Sequence, residues 1–405
     1  MKQKVMMLVA VLAAAFAVRG EDVWSCDSEP VRIDTGNTHT VRDGATILAD
    51  PAWHGAESFT VSLDGEELFT ATEAAGYEWR PSVTGTFTLT GVGGTHTETA
   101  VFHVLSLTAE SGDCRWTYTV ENGGVVIGDG SGVAVSPAPE GRLEIPATLG
   151  GFPVAGIAAS AFNGCGELTE VLIPNTVTNI GANAFSGCSG LTSVTIPDSV
   201  MNIGSSAFSD CGALTNMVLP FVGARRGNSG TTDSLFGYIF GTSSYTGGMV
   251  KQYYTSGSYS TFYIPSSLRN VTITDETALG YGAFYGCSGL TNVTIGNSVT
   301  SIGNYAFYNC SGLTSVTIPD SVTNIGSSSF YGCSGLTSVT IGNGLTSIES
   351  SAFYNCSGLT SVTIPDSVTN IGDRAFYDCY RLTSVTIPQC LCNDPYPWSS
   401  DDGMF

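Results

Sequence analysis

Charge is the scarcest property of this chain. Only 12% of its 405 residues are Asp, Glu, Lys or Arg, so the surface has to be built from Ser, Thr, Asn and Gly. Bases are scarcer still: 14 Lys and Arg stand against 35 Asp and Glu, a formal net charge of −21. Nucleic acid and anionic membrane surfaces call for clustered Lys and Arg to neutralise phosphate, and no basic stripe occurs, so neither is an expected partner. Histidine is limited to His39, His54, His96 and His103, none in a nucleophile or metal-ligand motif. The acid pairs Glu66/Glu67 and Asp401/Asp402 fall in a turn and a tail, not in a cleft. The Gly-rich runs lack the Lys and the strand-to-helix setting of a phosphate loop. No catalytic constellation, cofactor site or metal site is therefore expected. An exported enzyme working through the N-terminal module is the weakest of the functional readings.

Long apolar runs are missing as well. One stretch, Val5 to Ala17, follows Lys2 and Lys4 and ends in the small-x-small series Ala15, Phe16, Ala17. This is the layout of a secretory signal peptide over residues 1–17, and it is shorter than the ~20 residues a membrane-crossing helix needs. The expectation is an exported protein, secreted or held at the cell surface, with no transmembrane segment in the mature chain. Cys26 follows Val23, Trp24 and Ser25 well beyond the apolar run, which makes it a poor lipid-attachment site.

What the chain has is enough apolar material for real cores: 42% hydrophobic and 10% aromatic residues. Residues 18–112 read as short alternating strands. Phe59 to Leu63 runs into Asp64-Gly65, a hairpin signal, and then Leu68 to Ala71; Thr86 to Thr90 and Thr97 to Val104 are joined across a glycine-rich turn. This pattern predicts a small immunoglobulin-like β-sandwich. From 113 to 157, Trp116 to Val120 and Val125 to Ile127 read as a hairpin and Leu143 to Ile145 as a first repeat-like strand. This stretch is expected to cap a solenoid, whose open apolar end requires an atypical first unit.

A 23-residue unit occupies 158–388, with Leu290, Leu313, Leu336, Leu359 and Leu382 as recurrent landmarks. Phe and Cys three apart mark the register from Phe162/Cys165 to Phe376/Cys379, every step being 23 except the jump of 76 from Cys211 to Cys287. That jump is three periods plus seven, and residues 221–262 inside it do not fit the unit, so they are read as one excursion. In the unit opening at Leu313, the residues Val316, Ile318, Val322, Ile325, Phe330 and Cys333 point inward. Leu, Val and Ile form a short parallel strand that Pro319 ends, and Ser327 to Tyr331 are expected to make one helical or 3₁₀ turn. The fold class is therefore mainly β, a leucine-rich-repeat solenoid preceded by the small sandwich, with 389–405 as a C-terminal tail.

The strand, Ile-Pro, Ile-Gly, Ala-Phe and Cys at fixed offsets resemble the leucine-rich repeats of the BspA-like, Treponema-pallidum-type class of bacterial surface proteins. The resemblance covers about residues 143–388 and implies export, binding to extracellular proteins or glycans, and no shared catalytic residues. Three sites follow. The outward hydroxyl residues Thr314, Ser315, Thr317, Thr337, Ser338, Thr340, Thr360, Ser361 and Thr363 form a candidate interaction surface. The excursion offers Arg225, Arg226, Phe236, Tyr238 and Phe240, either as an interface, since aromatics with Arg mark hot spots, or as a flap packed on the solenoid. A tyrosine stripe from Tyr285 to Tyr377 runs beside the phenylalanines. The eight repeat cysteines stack in equivalent places, which suits a buried thiol ladder better than disulfides or metal cages. Cys26 and Cys114 bracket the N-terminal module and either pair in an oxidising compartment or remain thiols. The competing functional reading is a spacer or coat component that self-associates through its C-terminal end.

Overall fold

In the computed structural model, residues 84–392 are described apart from 94–95, 105 and 245–246, and before them the strands between 23 and 79. The expected signal sequence 1–17, Cys26, His54 and the tail beyond Cys392 lie outside the described residues. The chain divides into two compact units, residues 1–137 with 148–154, and residues 138–147 with 155–405.

In the first unit the four expected strands are present: Ser58–Leu63, Glu66–Ala71, Gly85–Gly93 and His96–Val104, antiparallel in that neighbourhood. They belong to a six-stranded sheet that also takes in the parallel strands Val23–Trp24 and Thr38–Val41, while Val31–Arg32, Ile47–Ala49 and Tyr77–Trp79 make a second sheet of three. Val61, Phe87, Leu89 and Val104 are buried, and these are the apolar members of the period-two alternation. His39 and His103 lie opposite each other's neighbours on paired strands and His96 opens its strand. The hairpin expected after 113 is Cys114–Glu121 paired with Gly124–Ile127.

The second unit is a solenoid with three kinds of side. One side is a sheet of ten parallel strands in chain order, from Gly141–Glu144 to Ser384–Thr386. The register is strict: Val316 faces Val293 in the preceding strand and Val339 in the following one, so identical apolar residues stack rung on rung. A second side carries two-residue strands, Ala278–Leu279, Ser301–Ile302, Asn324–Ile325, Ser347–Ile348 and Asn370–Ile371, again parallel. Leu313, Val316, Ile318, Val322, Ile325, Phe330 and Cys333 are all buried, as their spacing requires. The phenylalanines stack ring on ring, Phe307 lying 5.2 Å from Phe284 and 5.0 Å from Phe330 with nearly parallel planes.

The third side differs from expectation. Ser327 to Tyr331 form no helix; they make consecutive turns in which alternate amides leave the rung. Ser329 N donates to Gly326 O and Tyr331 N to Ser328 O, whereas Phe330 N donates to Ala352 O (2.8 Å) and Gly332 N to Tyr354 O (2.8 Å) in the next rung. The cause is a pair of left-handed residues, Ser328 (φ 54°) and Gly332 (φ 71°), which a helix does not admit. The second such place is always Gly, Asn or Asp: Gly164, Gly187, Asp210, Gly286, Asn309, Gly332, Asn355 and Asp378. These are the residues that tolerate positive φ. Asn309→Val is therefore expected to lower stability by about 1–2 kcal/mol, and Asn309→Gly to leave it within a few tenths. Urea unfolding of the two variants checks this.

The excursion is one enlarged rung. The strands Asn216–Leu219 and Asn270–Ile273 are direct neighbours, Asn216 pairing with Asn270, so the sheet runs on without a gap. On the turn side Phe208 N donates to Ile239 O, just as Phe185 N does to Ala207 O; Ile239-Phe240 thus stands where Ala-Phe stands elsewhere. Phe236 continues the ring stack to Phe284 at 4.8 Å. Gly248–Tyr253 and Tyr259–Ile264 then form a hairpin before the chain rejoins the repeat.

Candidate interaction surface

Seen from outside, the strand side carries columns of hydroxyl residues with unlike duties. Thr314 Oγ1 donates to Thr291 O (3.0 Å), Thr337 Oγ1 to Thr314 O (3.0 Å) and Thr360 Oγ1 to Thr337 O (3.3 Å). Each of these threonines clips its rung to the carbonyl of the preceding one, so its donor is engaged inside the fold. Thr314, Thr337 and Thr360 stay exposed, so to a partner they offer a hydroxyl oxygen as acceptor while the donor is spent on the rung. The second sheet repeats the device, Thr323 Oγ1 to Thr300 O and Thr346 Oγ1 to Thr323 O. Ser315, Thr317, Ser338, Thr340, Ser361 and Thr363 are exposed, alternate with the buried valines, and lie in register across strands.

Over the strands Asn292–Ile295, Ser315–Ile318 and Ser338–Ile341 this face forms a groove of about 590 Å³, into which Thr294, Thr317 and Thr340 project beside Asn297, Asp320 and Asn343. The last three occupy one column and alternate in type because their neighbours alternate. A Cβ at Gly342 would run into the backbone of Pro319 and Asp320, so glycine permits the close approach in which Asn343 N donates to Asp320 Oδ1 (2.7 Å). The result is a carboxylate between two carboxamides, edged by hydroxyls, with no cation among the lining residues. Such a groove offers many neutral hydrogen bonds. The Asn297/Asp320/Asn343 column was not singled out from sequence; the Gly-Asn and Pro-Asp alternation every second repeat is the signal that marks it.

The excursion residues separate. Phe236 and Phe240 are fully buried and so are removed from the surface: Phe236 meets the Phe284 ring and Phe240 packs edge to face against Phe236 at 5.2 Å. Tyr238 is half-buried and its carbonyl accepts from Ser206 N. Arg226 is ion-paired with Asp275 and its Nε donates to Asp275 O (2.8 Å), whereas Arg225 is exposed. The Asp233 carboxyl is held below the usual carboxylate range first by the Thr231 hydroxyl and further by Asn228 and Arg225. Two residues that sequence reasoning passed over hold the enlarged rung. Glu276 is buried and accepts from the amides of Gly227 (3.0 Å) and Thr277 (2.9 Å). Gln252 is buried, accepts from Gly237 N (2.7 Å) and donates to Tyr285 O (3.2 Å).

The repeat cysteines form the thiol ladder that stacking predicts. All eight are buried, and Cys310, Cys333 and Cys356 donate to the carbonyls of Phe284, Phe307 and Phe330 at 3.1 to 3.2 Å. Burial pushes the Cys379 thiol up to about 11 and those of Cys188 and Cys333 up to about 12. An acid whose folded pKa is raised stabilises the fold fully below its unfolded value, near 8.5, and loses that contribution as pH climbs through the folded value. Stability is accordingly expected to fall between about pH 8.5 and 12. Thiol titration at pH 8 should find these cysteines unreactive until urea is added; rapid native labelling would contradict the ladder. Cys114 is half-exposed at the start of its strand, and its proposed partner Cys26 lies outside the described residues.

Among the described residues no group of three or more His, Cys, Asp or Glu is placed to hold a metal ion, and no helix is long and apolar enough to cross a membrane. A family model described as the BspA type leucine rich repeat region matches residues 155–288 and 277–393, in six copies. Three solved structures are similar. A leucine rich cell surface protein from Faecalibacterium prausnitzii A2-165 is 26% identical, with 69% of this chain and 76% of that one covered and a TM-score of 0.36. The leucine rich repeat protein of T. pallidum is 25% identical, covering 66% and 88%, with a TM-score of 0.31. A leucine-rich repeat protein from Bacteroides ovatus ATCC 8483 is 26% identical, covering 70% and 89%, with a TM-score of 0.32. No curated protein matches the sequence.

Proposed function

Because the chain belongs to the BspA-type leucine-rich-repeat family, we propose that it is an exported binding protein that recognises an extracellular protein or glycan through the strand side of its solenoid. The observation that carries this reading is the division of labour among its hydroxyl columns. The Thr314 column is tied into the backbone ladder, while the Ser315/Thr317 columns and the Asn297/Asp320/Asn343 edge are left facing outward around a groove. A regular array of uncharged donors and acceptors suits a hydroxyl-rich or peptide surface and offers nothing to a polyanion. A screen of immobilised extracellular-matrix proteins and glycans with the wild type and a Thr317→Arg/Thr340→Arg variant tests it. Binding by the wild type that the variant loses, at equal melting temperature, is the expected result. Wild-type silence on both classes, or equal binding by the variant, would overturn it.

A second reading, self-association as a surface spacer, rests on the last rung. Leu382, Val385 and Ile387 are half-exposed where Leu359, Val362 and Ile364 are buried, and they line a recess of about 600 Å³ with Phe376 and Tyr380. Light scattering across a concentration series separates the two, since a molar mass that stays monomeric throughout removes the spacer.

A further inference from the structure

The tyrosines beside the buried phenylalanines form a ribbon. Tyr285, Tyr308, Tyr331, Tyr354 and Tyr377 stack with centroids 4.7, 4.8, 4.7 and 5.2 Å apart, and Tyr253 extends the row from Tyr285 at 4.9 Å. These rings are half-buried, Tyr377 somewhat more open. With ring faces laid against one another, what each ring has left to show solvent is its edge and its hydroxyl. That rules against a sugar platform, which needs free ring faces. It suits a ligand with flat apolar units on one side and bare carbonyl groups to accept from phenols.

We propose that this ribbon is a docking surface for an extended, proline-rich peptide in the polyproline II conformation. Two steps of the ribbon, 4.7 and 4.8 Å, advance it by about 9.5 Å, and a polyproline II helix repeats every three residues at ~3.1 Å per residue, about 9.3 Å. A peptide laid along the ribbon therefore returns the same side to every second tyrosine. Over four rungs the ribbon itself has this doubled period. Following the tyrosines are Gly286, Asn309, Gly332 and Asn355, and Gly332 leaves open the space toward which Asn309 Oδ1 is turned, before Asp378 ends the alternation after Tyr377. The carboxamides thus recur once per peptide turn. A polyproline II backbone has no internal hydrogen bonds, so its carbonyls are available to phenol hydroxyls and carboxamides, in the manner of other aromatic-lined peptide grooves. The two ends differ in charge. Lys251 lies 3.6 Å from the Tyr259 ring centre next to Tyr253, and Asp378 follows Tyr377 and accepts from the Tyr380 hydroxyl at 2.9 Å. An acidic residue at one end of the peptide and a basic one at the other would fix its direction.

The test is titration of the full chain with an oligoproline of about twelve residues, spanning about 37 Å, against a Gly-Ser peptide of equal length and a cello-oligosaccharide. Saturable binding of the oligoproline alone is expected. Tyr308→Phe/Tyr331→Phe keeps the stack and removes two hydroxyls, so affinity should fall about fivefold or more at an unchanged melting temperature, while Thr317→Arg has no effect. No oligoproline binding, equal binding of the Gly-Ser peptide, preference for the oligosaccharide, or indifference to the double Phe variant would each overturn the proposal.

Discussion

Phe307→Ala is expected to lower the unfolding free energy by about 3–5 kcal/mol, the largest effect of any single substitution proposed here. The ring is fully buried and stacks on both neighbours, at 5.2 and 5.0 Å, so its removal opens a cavity against two rungs at once. In a solenoid each rung is stabilised only by those beside it, and the backbone cannot close the gap. Phe307 N and Phe284 N still donate to Ser329 O and Ala306 O and hold the rungs at their spacing. Urea unfolding should show an earlier midpoint. Hydrogen exchange should show protection lost first around Asn292–Ile295 and Ser315–Ile318. A loss below about 1 kcal/mol would mean the rungs can collapse and the stack is not a close-packed core.

Glu276→Ala should cost about 2–3 kcal/mol and loosen one rung specifically. The side chain is 2% exposed, and its carboxylate accepts from Gly227 N at 3.0 Å, Thr277 N at 2.9 Å and, more distantly, Val222 N at 3.4 Å. Truncation takes the acceptor from the buried Val222 amide and from the part-buried Gly227 and Thr277 amides, and leaves a cavity beneath them. The enlarged rung holds Arg225 and Arg226 just beyond Val222, so trypsin should cut the variant there many times faster than the wild type. Glu276→Gln keeps an acceptor and should recover roughly half of the loss. Unchanged melting and unchanged cleavage in Glu276→Ala would show that the rung is held elsewhere, with Gln252 the next residue to replace.

The parts of this fold that can be read from sequence are those where one position has one requirement. Phe330 and Cys333 recur because a stacked ring and a small buried thiol fit every regular rung, and Pro319 alternates with Gly at the place where the strand ends. What could not be read depends on geometry that residue type does not encode. Thr314 and Thr317 are the same residue three apart, yet one hydroxyl meets a carbonyl of the preceding rung and the other meets solvent. The turn side was expected to be helical because Ser, Ala, Phe and Tyr carry no mark of left-handed backbone. Tyr305 (φ 59°) and Arg374 (φ 55°) are held there by the rung, against their intrinsic preference. The enlarged rung hides its membership of the solenoid because Ile239-Phe240 replaces Ala-Phe and no cysteine follows three residues on. Aromatic richness with arginine suggested an interface there, whereas Phe236 and Phe240 are core.

Recognition of the extracellular protein or glycan is assigned to the outward columns of the strand side and not to the second sheet. It is tested most directly by placing the same arginine on two sides, Thr317→Arg beside the groove and Thr346→Arg on the second sheet, and comparing both with the wild type on the same immobilised extracellular-matrix proteins and glycans. Thr317→Arg is expected to lose binding at least tenfold while Thr346→Arg binds as the wild type, with both variants folded. Equal retention by both, or loss by Thr346→Arg alone, would contradict it.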